Sequence, residues 1–97
     1  MGIKVEFNSN LALRKFGTPG RLEEECLPKK LEHGETHSFF KKGQRNYYLE
    51  GEISLNETSG NKVIPFPLAT VKILEVTHFL IEGELYTKGI YRIEKNL

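Results

Sequence analysis

The chain has a single cysteine, no tryptophan and no aspartate. Each absence removes a class of chemistry. Cys26 alone forms no internal disulfide, the usual staple of small secreted domains, so the reducing cytoplasm is the expected compartment. All 13 acidic side chains are glutamates. Asp-based calcium loops, Walker-type magnesium sites and Ser-His-Asp triads each lose a customary ligand or orienting residue. Without tryptophan the strongest usual anchor for an interface or a stacked base is gone. No apolar run approaches the roughly 18 residues that span a bilayer, and no leader pattern opens the chain, so no membrane partner is expected. Neither sign of charge dominates. Lys and Arg number 14 against the 13 glutamates, a net charge of +1, which lacks the basic excess typical of nucleic-acid-binding domains.

What is present points to one folded unit over residues 1–97. Leu, Ile, Val and Phe make up 29 of the 97 residues, well above the roughly 20% below which chains stay disordered. A chain this short removes about 60 to 70% of its unfolded surface from water, enough for one core and no second.

Ile3, Val5 and Phe7 alternate with Lys4 and Glu6, the period of a half-buried strand. Asn8 or Ser9 as N-cap, Ala12 and Phe16 one helical turn apart, and Gly17 before Pro19 predict a short helix next. Thr18-Pro19, followed by Glu23, Glu24 and Glu25, predicts a second helix with Leu22 and Cys26 facing the core, ended by Pro28. Beyond Glu35 the texture becomes that of a sheet. Residues 36–41 and 46–55 flank Lys42-Gly43-Gln44-Arg45 and predict a hairpin. In the second arm Tyr47, Leu49, Gly51, Ile53 and Leu55 point to one face. A polar turn is expected over residues 56–62, and Pro65-Phe66-Pro67 breaks the ladder. Ala69, Val71 and Ile73 then alternate in one phase and Leu74 and Val76 in the other, which predicts a β-bulge at Ile73-Leu74. Glu82-Gly83 predicts a tight return into a strand whose inward set is Leu85, Thr87, Gly89, Tyr91 and Ile93. The resulting expectation is a mainly β fold with a minor α+β element: a small, partly closed barrel of five to six mostly antiparallel strands, with one or two short helices near the N-terminus.

Residues 38–48 interleave the cations Lys41, Lys42 and Arg45 with Phe39, Phe40, Tyr47 and Tyr48. Cations at a hairpin tip meet phosphates, and outward rings such as Phe40 and Tyr48 stack bases, which makes this segment the candidate for RNA or other single-stranded nucleic acid. A solvated turn with rings in the core is the bland alternative. Residues 1–48 carry nine Lys or Arg against six Glu, and residues 49–97 five against seven. Gly17-Thr18-Pro19-Gly20, with Arg21 behind it, resembles the GxxG backbone clamp of KH domains, although Pro19 removes an N–H from the loop and the closing helix of that family is missing. Phe66, Tyr86 and Ile90 are apolar on nominally outward positions and form the candidate contact surface for another protein or a second copy.

Cys26, His33 and His37 have acceptable ligand types for zinc, but a single cysteine cannot supply the close pair of structural sites, so no metal or other cofactor is expected. No nucleophile elbow, P-loop or zinc-protease helix occurs. A nucleophile and base can be imagined from Cys26 or Ser38 with His37 or His78, oriented by Glu75, but nothing in the sequence supports the pairing, and His78 reads better as a hydrogen-bonded core or rim residue. The chain therefore reads as a non-catalytic binding module or accessory subunit, with a protein contact placed ahead of RNA.

Overall fold

The computed structural model describes residues 7–97. The strand expected around Ile3 and Val5 lies outside them. Six strands form one sheet: β1 (Asn10–Arg14), β2 (Thr36–Lys42), β3 (Glu52–Ser59), β4 (Lys62–Val63), β5 (Ala69–Ile81) and β6 (Glu84–Asn96). Their order is β1-β3-β5-β6-β2, with β4 paired to β3 off this path. Of these strand pairs β1/β3 is parallel and the others are antiparallel. The sheet is mainly β as expected, but it is not closed into a barrel, because β1 and β2 are its edges and share no ladder among the described residues.

Neither N-terminal helix forms. The residues read as the first one make β1, where Leu11, Ala12 and Leu13 are all buried. A parallel strand covered on both faces loses the polar-apolar alternation that marks a strand, and the accidental Ala12/Phe16 spacing then imitates a helix. Phe16 itself is exposed. In place of the second helix there is one 3-10 turn, Glu23–Glu25. Cys26 is buried, but Leu22 is 55% exposed instead of facing the core.

The predicted hairpin across Lys42-Gly43-Gln44-Arg45 is also absent. β2 pairs with the distant β6, from Thr36↔Arg92 to Lys42↔Tyr86. The arm read as a strand from residue 46 begins only at Glu52, since Glu50 has φ 66° and the Gly51 N–H turns back to the Tyr48 carbonyl. That turn leaves Leu49 61% exposed. The polar turn expected over residues 56–62 is narrower, because β3 runs on to Ser59 and pairs with β4 around Gly60 and Asn61. Asn56 is buried at this point, its Nδ2 donating to the Ile64 carbonyl at 2.9 Å and its Oδ1 accepting from Ser54 Oγ at 2.8 Å.

The C-terminal half follows the sequence closely. The β5/β6 register shifts between Ile73 and Glu75, the expected bulge. Glu82 and Gly83, with φ 49° and 83°, make the two-residue return whose positive φ values suit the twist of a hairpin. Thr87, Gly89, Tyr91 and Ile93 are buried, and Tyr91 and Ile93 join Leu11, Phe39, Leu55 and Val71 in the core.

Candidate functional site

The two edges of the open sheet face each other across a seam. Lys41 shares the inward face of β2 with Phe39, and its Nζ donates to the Ala12 carbonyl of β1. A cavity of about 490 Å³ lies at this seam. Its walls come from β1, the end of β2 and the loop beyond it, the β3–β4 turn, and the segment carrying the 3-10 turn. Arg14, Arg21, Lys41, Lys42 and Arg45 line it, and among the described residues Glu25 is the one carboxylate in its wall. Glu25 already pairs with Arg21, Nη1 to Oε2 at 3.3 Å. Basic residues far apart in sequence therefore converge on one cavity.

The backbone holds these cations in place. Arg14 Nη1 donates to the Gly60 carbonyl at 2.9 Å, tying β1 to the β3–β4 turn. The Arg45 N–H donates to Thr87 Oγ1 at 2.9 Å, and the Thr87 hydroxyl donates to the Gly43 carbonyl at 2.8 Å. The Arg45 carbonyl accepts from His78 Nε2 at 2.9 Å, which requires the proton on that nitrogen because a carbonyl only accepts. His78 is thus a hydrogen-bonded rim residue that helps present Arg45. Lys42 Nζ lies 3.5 Å from Glu84 Oε2 in an exposed pair, an interaction worth at most about 1 kcal/mol and easily exchanged for another anion.

The wall holds more donors than the chain uses. Arg45 Nε and Thr58 Oγ1 are shut off from solvent without a hydrogen-bond partner among the described residues, a state that costs about 1–3 kcal/mol per group. Burial, then the charges of Arg45 and Arg14, push the Lys41 ammonium down to about 8. The unfolded chain keeps the ordinary 10.5 and so binds more protons between those values, which makes stability rise with pH from about 8 toward 10. Tyr47 acts in the opposite sense: burial pushes its phenol up to about 12, so above pH 10 the unfolded chain loses its proton first and stability falls. Thermal melts of the wild type are expected to peak near pH 10, and Lys41→Met, which keeps the aliphatic stem, is expected to flatten the rise from pH 8. A Lys41→Met profile that superimposes on the wild type contradicts this assignment.

Phe40 and Tyr86 carry the cavity onto the outer face of the sheet. There they meet Phe79, with ring centroids 5.2 Å (Phe40–Tyr86), 5.8 Å (Phe40–Phe79) and 6.0 Å (Phe79–Tyr86) apart. Lys88 Nζ sits 5.1 Å from the Phe79 centroid, a cation–π contact. All three rings are half-buried, leaving aromatic surface open beside the cations.

Of the residues singled out from sequence, Lys41, Lys42, Arg45 and Phe40 come together here. Tyr48 does not. It stacks on Phe7 at 3.8 Å and 15° and takes no part in lining the cavity, and its neighbour Tyr47 is the ring turned inward, edge-on to Phe39. Arg14 and Phe79 escape a sequence reading because strand pairing, not local pattern, brings them in, and Arg21, noted there only behind the GxxG loop, arrives on the loop between β1 and the 3-10 turn. Tyr86 and Ile90 share the outer face, whereas Phe66, 78% exposed, lies just before the end of β5 that pairs with Asn96. Tyr86 lies at the other end of that hairpin, so the three do not form a common patch. Gly17-Thr18-Pro19-Gly20 is exposed except for the half-buried Thr18 and sits between β1 and the 3-10 turn, not between two helices. Cys26 and His37 line a second cavity of about 550 Å³ with Tyr91, without His33. Among the described residues no three His, Cys or Glu side chains gather closely enough to hold a metal ion, and no helix is long and apolar enough to cross a membrane. No protein-family model, curated protein or solved structure matches the chain.

Proposed function

We propose that the chain is a non-catalytic module of the cytoplasm that binds single-stranded nucleic acid, with phosphates in the cationic seam and bases on the Phe40/Phe79/Tyr86 face. The observation that carries this reading is the convergence of five cations on a single cavity bordered by two half-buried aromatic rings, where, among the described residues, the one carboxylate in the wall, Glu25, is already engaged with Arg21 and Glu84 stands outside the wall against Lys42. Polyanion affinity depends on local charge, so a net charge of +1 over the chain does not weaken it. A protein contact built from Phe66, Tyr86 and Ile90 has no comparable convergence.

The aromatic arm is tested with a fluorescent oligouridylate and its duplex at low salt. Each stacked base contributes about 1–3 kcal/mol, so Tyr86→Leu is expected to weaken single-strand binding by about fivefold to a hundredfold. Duplex, whose bases are not free to stack, is expected to bind less tightly than single strand. Equal affinity for duplex and single strand, together with no effect of Tyr86→Leu, contradicts the reading.

A further inference from the structure

We infer that the seam cavity is a receptor for a terminal phosphomonoester, so that strands bearing an end phosphate are preferred over strands with hydroxyl ends. This rests on the nucleic-acid reading above and specifies which part of the strand the cavity holds. The first reason is the mismatch between donors and acceptors in the wall. Lys41 spends one of its three N–H donors on the Ala12 carbonyl and Arg14 donates to the Gly60 carbonyl, while Arg45 Nε and the Thr58 hydroxyl have no partner among the described residues. The single carboxylate is held by Arg21. A ligand that suits such a wall is rich in acceptors and negatively charged.

The second reason is charge and shape. An internal phosphodiester carries one charge and two free oxygens, whereas a phosphomonoester carries about −1.5 to −2 near pH 7 and offers three. Arg14, Lys41 and Arg45 reach the cavity from β1, β2 and the loop after β2, and Thr58 from β3. Donors converging from separate elements suit a compact dianion better than a backbone running past one row of cations. The cavity is also bridged: Lys41 ties β2 to β1, and Arg14 ties β1 to the β3–β4 turn. At about 490 Å³ it has room for a terminal nucleotide, with Phe40 and Tyr86 at its border to receive the attached base. The depressed ammonium of Lys41 agrees with this, since a dianion would restore the counter-charge that three clustered cations lack.

The test compares one fluorescent oligouridylate in four forms, with 5′-phosphate, 3′-phosphate, both ends hydroxyl, and the hydroxyl form in the presence of free uridine monophosphate, at pH 7 and low salt. The expected result is at least tenfold tighter binding of one phosphorylated form than of the hydroxyl form, and the favoured end shows the direction in which the strand enters. Arg45→Met is expected to erase most of that ratio while leaving residual binding of the hydroxyl strand, with the fold checked by circular dichroism. A merely structural role for Arg45 would weaken all forms alike and leave the ratio unchanged, which overturns the inference. Equal binding of all forms also overturns it and leaves the nucleic-acid reading standing. No binding of any form overturns both. Uridine monophosphate displacing the hydroxyl strand supports the phosphate receptor and identifies free nucleotides as a second source of the same group.

Discussion

Replacing Gly89 by alanine is expected to abolish the fold or lower Tm by roughly 15 °C or more. Gly89 faces Phe39 across the β2/β6 ladder and Val76 across β5/β6, just beyond the bulge at Ile73/Glu75. A Cβ there would run into the Glu75 backbone carbonyl and lie 2.8 Å from Cε1 and Cζ of the Phe39 ring. A side chain can rotate away from such an intrusion, but a carbonyl committed to the sheet cannot. Overpacking a core costs about 1–3 kcal/mol and more where the backbone must shift, and each kcal/mol moves Tm by about 4–8 °C in a domain of this size. Shrinking the ring in Gly89→Ala with Phe39→Leu is expected not to restore stability, because the Glu75 carbonyl remains. A Gly89→Ala protein that melts within a few degrees of the wild type would show that the bulge does not bring β5 this close to β6.

The second large effect is expected at the seam. Lys42→Met with Arg45→Met removes two of the five cations and keeps both aliphatic stems. Arg45 is anchored through its backbone to Thr87 and His78, and Lys42 makes only an exposed pair with Glu84, so the fold is expected to survive. Oligouridylate affinity at low salt is expected to fall about 30- to 100-fold, and the slope of log K against log salt to flatten by about 1.4, from roughly 0.7 for each single-strand phosphate that is no longer neutralised. An unchanged slope would remove both residues from the site. Lys41 is a poorer choice for this purpose, because its ammonium also bridges the two edges of the sheet.

Much of the fold is legible in the sequence where pairing is local. The β5–β6 hairpin joins neighbouring segments, so its turn chemistry, its bulge and the alternation from Leu85 to Ile93 all lie within one stretch of chain. Long-range pairing is where the reading fails. Lys42-Gly43-Gln44-Arg45 has the composition of a hairpin turn, yet Gly43 bonds to Leu85 and Thr87 of β6, and no local pattern says that β2 belongs beside a strand so far along the chain. β1 is hidden for the opposite reason, since burial on both faces erases its period. The site inherits the same division. Lys41, Lys42, Arg45 and Phe40 are contiguous enough to be noticed together, while Arg14, Phe79 and Tyr86 come into it only through the β1/β3, β5/β6 and β2/β6 ladders, and Arg21 through the loop that leads from β1 into the 3-10 turn.

The most direct test of the seam as a nucleic-acid site is a map of amide chemical-shift changes as a 5′-phosphorylated oligouridylate is titrated into isotopically labelled protein. The expected changes cluster in β1, in β2 from Phe40 to Lys42, at Arg45, in the β3–β4 turn and around Tyr86. The amides of residues 29–35 and of Phe66, between Pro65 and Pro67, are expected to stay still. Saturable changes confined to those two regions, or no changes at low salt, would contradict the account.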